Sequence, residues 1–284
     1  MSSLSSLQIN KPIDWFERTP LICACEVGAD RRIIDILIDA GSQFGAKDVG
    51  GLTALHLAVL RRRLQAVKLL LSRGSNVNEK DIYGSTPLHL AVNSSPEWTD
   101  GVKAIMNQSA VEVNPRNKDG QTPLQLACYN GYLHTVELLL GHNGIDANVV
   151  NNNGDTPLHM AVRGRQYKVV CAMLKQDSVQ LDIKNHQKVT PLLLAVSIGH
   201  LEMVHQLIAK GADVNVVNNE GNNCLHLAVK SRRRFHSEVE PLSILDKVSL
   251  EIVYEYLCVS VCVCGVCGFE RRRVRERERQ TDKH

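Results

Sequence analysis

Gly154-Asp155-Thr156-Pro157-Leu158-His159-Met160-Ala161 reads as a turn running into a helix. The glycine supplies a positive-φ position, the threonine a helix N-cap, and the proline suits the first helical position because its missing N–H has no intrahelical partner. Leu158 and Ala161 then open an apolar stripe. The same phrase returns along the chain. Aligned on the threonine, it recurs as Thr19-Pro20-Leu21, Thr53-Ala54-Leu55-His56-Leu57-Ala58, Thr86-Pro87-Leu88-His89-Leu90-Ala91, Thr122-Pro123-Leu124, Thr190-Pro191-Leu192 and a worn copy, Asn223-Cys224-Leu225-His226-Leu227-Ala228. Successive copies lie 34, 33, 36, 34, 34 and 33 residues apart. A sustained period of this length marks a repeat architecture, in which each unit buries its apolar face on its neighbours.

The parts of one repeat follow from its residues. Asp or Asn stands five residues before the threonine position in every copy, at Asp14, Asp48, Asp81, Asn117, Asn151, Asn185 and Asn218. Its short side chain can bond its own backbone in a turn. Glycine follows three later at Gly51, Gly84, Gly120, Gly154 and Gly221, which makes the tip of a tight β-turn or hairpin. A short first helix comes next. A second helix carries dense apolar runs such as Val67-Lys68-Leu69-Leu70-Leu71 and Val136-Glu137-Leu138-Leu139-Leu140, with Ile33-Ile34-Asp35-Ile36-Leu37-Ile38 in the first repeat, and Gly41, Gly74 and Gly211 stand where a helix would stop. Burial of several Leu, Ile and Val side chains per interface, at roughly 1.5 to 3 kcal/mol each, offsets ordering entropy only when repeats are stacked.

The period and the recurring hexapeptide resemble the ankyrin repeat. The resemblance covers about residues 14 to 235 and implies an all-α repeat solenoid, a stack of helix-turn-helix units with β-hairpin or turn fingers. The expected repeats are 14–47, 48–80, 81–116, 117–150, 151–184, 185–217 and a partial 218–235. Residues 1–13 form an N-terminal arm, with Trp15 and Phe16 placed to cover the exposed end of the first repeat. Repeat three gains residues in the loop Asn93 to Asp100, and in repeat six Lys188 replaces the turn glycine and Leu193 the histidine. Residues 236–257 are read as a helical cap and 258–284 as a low-complexity tail.

Composition narrows the function. The chain has 284 residues, 44% of them apolar but only 4% aromatic, which suits the stacking of small-residue helices better than a large enzyme core. The net charge of +3 is carried by residues 270–284, where seven Lys or Arg meet four Asp or Glu, so the rest sums to zero. A nucleic-acid-binding body would carry a basic field, and no nucleic-acid partner is expected. The polar start, Met1-Ser2-Ser3-Leu4-Ser5-Ser6-Leu7, shows no signal-type apolar stretch, so the two Asn-x-Ser sequons at Asn93 and Asn107 are read as chance and the chain is placed in the cytoplasm or nucleus. Cys23, Cys25, Cys128, Cys171 and Cys224 are accordingly read as reduced core residues. No phosphate loop, GxGxxG, HExxH or nucleophile elbow occurs; no catalytic residue, cofactor or metal is expected.

The tail holds the other candidate chemistry. Cys264 and Cys267 form a CxxC pair of the kind that binds zinc, without a second pair at workable spacing. The Cys-Val alternation and the Arg-Glu run at Arg275 to Arg279 are what TG and AG dinucleotide repeats encode, so low-complexity sequence is the preferred reading. The apolar run from Leu257 to Phe269 falls short of the roughly 20 residues of a spanning helix, leaving only a lipid-anchored tail as a membrane alternative.

Binding is what the resemblance implies, on a concave face lined by the finger tips and first helices. The tips are Val49-Gly50, Ile82-Tyr83, Lys118-Asp119, Asn152-Asn153, His186-Gln187 and Asn219-Glu220. Ile82 and Tyr83 are the expected anchor, an exposed aromatic beside an aliphatic. Trp98, in the enlarged loop with Pro96, is a second exposed candidate. Arg61, Arg62 and Arg63, with Arg163, Arg165, Lys230 and Arg232 to Arg234, form either a basic edge for an acidic partner or, preferred, loops whose charge is balanced elsewhere. His56, His89, His159 and His226 are read as structural ties between repeats, a role the resemblance implies. Asn215, after Asp213-Val214, resembles the context modified by asparaginyl hydroxylase in ankyrin repeats. The expected function is a monomeric, non-enzymatic protein-interaction scaffold. The alternatives are an inhibitor resembling those of Rel-type transcription factors and the ankyrin part of a larger ubiquitin ligase or kinase.

Overall fold

The computed structural model describes residues 9–94 and 96–232. The expected helical cap at 236–257, the tail with its cysteine pair and most of the N-terminal arm lie outside these residues. The chain divides into two compact units, Met1–Gln180 and Leu181–His284. The helices of repeats one to five belong to the first unit, those of repeats six and seven to the second.

Each repeat of the first unit is a pair of short helices. Repeat one has α1 (Pro20–Val27) and α2 (Arg31–Asp39), repeat two α3 (Ala54–Leu60) and α4 (Leu64–Ser72), repeat three α5 (Pro87–Val92) and α6 (Thr99–Met106). Repeat four has α7 (Pro123–Asn130) and α8 (Leu133–Leu140), repeat five α9 (Pro157–Arg163) and α10 (Tyr167–Met173). In the second unit α11 (Pro191–Ser197) and α12 (Leu201–Ala209) make repeat six, and α13 (Cys224–Arg232) opens repeat seven. No strand occurs among the described residues, so the fingers are turns rather than paired hairpins. The architecture is an all-α repeat solenoid.

Threonine caps the first helices as its chemistry requires. Thr53, Thr122, Thr156 and Thr190 hold extended backbone angles, and each hydroxyl accepts the amide three residues on. Asn223 does the same work for α13, its side chain accepting the His226 amide at 3.1 Å. Second helices end as the glycine spacing predicts: Gly74 has φ +90°, and the amide of Ser75 reaches back to the Leu70 carbonyl at 3.0 Å. That left-handed turn satisfies carbonyls the helix would leave open.

Inside the first unit the helices stack in two layers. First helices pack in series, α1 on α3, α3 on α5, α5 on α7 and α7 on α9, and second helices likewise from α2 to α10. Leu21, Leu55, Leu88, Leu124 and Leu158, each two residues past its threonine, form a fully buried column. Ala58, Ala91, Ala127 and Ala161 beside them are also buried, and their small side chains let neighbouring first helices approach. Repeat three spends its extra loop on its neighbour. The Glu97 carboxylate accepts the Thr135 amide at 2.5 Å, capping α8, whose own N-cap residue Tyr132 offers no side-chain bond. No helix among the described residues is long and apolar enough to cross a membrane.

Candidate protein interface

Seven turns share one construction. The Oδ1 atom of each leading Asp or Asn accepts the amides two and four residues on: Asp48 from Gly50 (2.9 Å) and Leu52 (2.8 Å), Asp81 from Tyr83 and Ser85 (both 2.8 Å), Asn151 from Asn153 (2.9 Å) and Asp155 (3.0 Å). Asp14, Asn117, Asn185 and Asn218 repeat it. A second constraint falls on the glycine. Gly51 has φ +71°, and a methyl group there would stand 2.9 Å from the Ile82 amide of the next finger. Glu17 (φ +59°) and Lys188 (φ +54°) occupy the same turn position against steric preference.

Backbone bonds join the tips into a row. The Val49 amide donates to the Phe16 carbonyl (2.9 Å), Ile82 to Gly50 (3.1 Å), Lys118 to Tyr83 (2.8 Å) and Asn152 to Asp119 (3.1 Å). In the second unit Asn219 donates to Gln187 at 3.0 Å. Within the first unit the tips are therefore contiguous, and their side chains change character along the row. Trp15 (98% exposed), Phe16, Val49, Ile82 and Tyr83 (67% exposed) are apolar and project into solvent. Lys118, Asp119, Asn152 and Asn153 continue the row as exposed polar residues. His186 and Gln187 are exposed tips of the second unit.

Trp15 and Phe16 correct one expectation and enlarge another. They do not cover the end of repeat one; they are its finger tip. The signal was present in the spacing, since Asp14 places them where Asp81 places Ile82 and Tyr83, but no glycine follows to mark the turn. Phe16 is held from the side. The Arg18 guanidinium lies 5.0 Å from its ring centre and pairs with Asp14 at 2.6 Å and with Glu26, which also takes Arg61 at 2.7 Å.

The structure also corrects the reading of Trp98. It is only 8% exposed, its ring lying over Gly101 of α6, where no side chain stands in the way, with the Arg62 guanidinium 5.8 Å from the ring centre. The arginines have internal partners. Arg61 pairs with Glu26, Arg62 faces Trp98 and Arg63 donates to the Val27 carbonyl at 3.2 Å. Arg163 pairs with the buried Asp155 at 2.8 Å. The side chains of Lys230 and the arginines after it lie outside the described residues.

The recurring histidines are ties. The Thr53 amide donates to His56 Nδ1 at 3.2 Å, so Nε2 carries the proton and donates to the Ser85 carbonyl of the next turn at 3.2 Å. His89 repeats this between Thr86 (3.1 Å) and Gln121 (3.0 Å). Burial is the main cause that lowers both imidazoles, His89 to about 4. His226, by contrast, is exposed. Cys25, Cys128 and Cys224 are buried free thiols, and burial raises each, which keeps them protonated.

A stack of paired helices bearing turn fingers defines a repeat solenoid, a non-catalytic interaction module. The chain belongs to the ankyrin repeat family: the family described as ankyrin repeats (3 copies) matches residues 3–81, 21–109, 88–185 and 173–239. Among solved structures it resembles the ankyrin repeat domain of Bcl-3, described as a unique member of the IkappaB protein family. The TM-score is 0.68 at 25% identity, over 76% of this chain and 98% of that one. Among curated proteins it is similar to the serine/threonine-protein kinase TNNI3K of mouse and of rat, 46% identical over 41 residues. That segment is 14% of this chain and spans 5% of each kinase.

Proposed function

We propose that the chain is a non-enzymatic scaffold or adaptor that binds a protein partner through its finger tips and the adjoining first helices, with the anchor at repeats one to three. The observation that carries this reading is the contiguous apolar row of Trp15, Phe16, Val49, Ile82 and Tyr83. Exposed clusters of this kind are costly to leave in water, and aromatic side chains dominate interface energies. The polar tips Lys118 and Asp119 of the first unit, and His186 and Gln187 of the second, are candidates for partner discrimination rather than affinity. The chain acts as a monomer in the cytoplasm or nucleus, which its buried free thiols support.

The likeness to Bcl-3 supports a second, narrower reading, a signalling regulator of the kind found in the IkappaB family. The short match to TNNI3K supports a third, an ankyrin segment belonging to a larger kinase.

Affinity capture tests the first reading. The full chain, a tip variant (Trp15→Ala, Ile82→Ala, Tyr83→Ala) and an outer-helix variant (Lys68→Ala, Glu137→Ala) are compared as baits, each checked for native helicity. A protein retained by the chain and the outer-helix variant and lost by the tip variant supports it. Equal retention by all three contradicts it.

A further inference from the structure

The second helices of repeats two to five share a burial pattern that α2 breaks. Counted from the start of each helix, the third residue is Ala66 in α4, Gly101 in α6, Thr135 in α8 and Val169 in α10, and all four are buried. The sixth is Leu69, Ala104, Leu138 and Ala172, buried or half-buried. In α2 the same positions hold Ile33 and Ile36, which are 50% and 66% exposed. α2 has α4 beside it just as α4 and α6 have their successors. A following repeat therefore does not cover these positions. What covers them elsewhere is the repeat before.

A side-chain ladder points the same way. Asn78 donates through Nδ2 to the Ala110 carbonyl (2.7 Å) and accepts the Glu112 amide (2.9 Å) of the next repeat. Asn114 does so with Gly144 (2.7 Å) and Asp146 (3.0 Å), and Asn148 with Ser178 (2.7 Å) and Gln180 (2.8 Å). Asn10 makes the same pair, to the Gly41 carbonyl (3.1 Å) and the Gln43 amide (2.8 Å). It stands ahead of repeat one as Asn78 closes repeat two, in the place of a closing residue of a preceding repeat.

We propose that the face of α2 around Ile33 and Ile36 receives the second helix of a further ankyrin-type repeat, joined ahead of Asn10 in the same polypeptide. The face continues the interface by which α4 packs on α2, and its two isoleucines are apolar where water would select polar residues. Stacking removes them from water, the same burial that holds repeats two to five together.

The test is a four-way comparison on the full chain. Residues 44–77 are duplicated between Ile9 and Asn10, and Ile33→Lys with Ile36→Lys is introduced with and without that extension. Urea midpoints are read by circular dichroism. The extension is expected to raise the midpoint, the double substitution to abolish that gain, and the substitution alone to leave the original chain unchanged. A fall of the midpoint in the unextended chain would mean that its own residues already cover the face, and would overturn the proposal. So would light scattering that shows a dimer converted to monomer by the substitution, which makes a second copy the occupant. Transcript sequencing tests it without a graft: a repeat encoded in frame ahead of Ile9 is expected, and its absence from every transcript overturns the assignment.

Discussion

Gln125 donates from Nε2 to the Asp155 carbonyl at 2.7 Å, making in repeat four the inter-repeat bond that His56 and His89 make in repeats two and three. Its Oε1 atom accepts the Thr122 amide at 2.8 Å, as the imidazole Nδ1 does elsewhere. The tie therefore needs one acceptor and one donor at fixed separation, not an imidazole.

A pH dependence follows. Burial holds His89 neutral, lowering it from 6.5 to about 4. The unfolded chain takes up protons first as pH falls, so stability declines below about pH 6.5 and goes on declining to about pH 4, by on the order of 3 kcal/mol for a shift of this size. The substitution His89→Gln keeps the tie and removes this titration. Urea midpoints at pH 7 are expected to be similar for the two proteins, while at pH 4.5 the variant is the more stable. A steeper loss in the variant would contradict the account.

Lys188 stands in a turn conformation that costs a side chain about 1 kcal/mol. Lys188→Gly is expected to stabilise the protein by up to roughly that amount. Gly51→Ala should destabilise it by more, because the methyl also meets the Ile82 amide. Thermal unfolding of the two variants checks the opposite signs.

Trp98→Ala removes a buried ring. A loss of about 3–5 kcal/mol is expected in chemical denaturation. A variant with unchanged stability and weakened partner binding would restore the interface reading of this residue.

Asn215 is an exposed turn residue of repeat six, its amide bonded to Asp213 Oδ1 at 2.8 Å. We expect it to be hydroxylated in cells. Asn78, Asn114 and Asn148 differ in having carboxamides committed to the ladder between repeats. Mass spectrometry of the intact peptide under normoxia should show one added oxygen on Asn215 and none on the other three. An unmodified Asn215 disposes of the idea.

The repeat frame was legible because its punctuation is local. Thr156 caps, Pro157 starts and Gly154 turns the chain through contacts within a few residues, so their spacing alone placed the helices. The burial of Trp98 was not legible, since it depends on Gly101 clearing space and on Arg62 reaching from the repeat before. The same holds for Arg61 and Arg63, whose partners Glu26 and the Val27 carbonyl are one repeat away. Of the five apolar tips, the turn spacing locates Val49, Ile82 and Tyr83. Trp15 and Phe16 were missed because Glu17 makes without glycine a turn that glycine makes elsewhere.

The apolar tips of repeats one to three are the centre of this account, and calorimetric titration of a captured partner against Tyr83→Ala tests them most directly. The account predicts a loss of affinity of about tenfold or more, the scale of a buried aromatic anchor, with Asn152→Ala on the polar side of the row within about twofold of the parent. Equal affinity for the parent and Tyr83→Ala would contradict it.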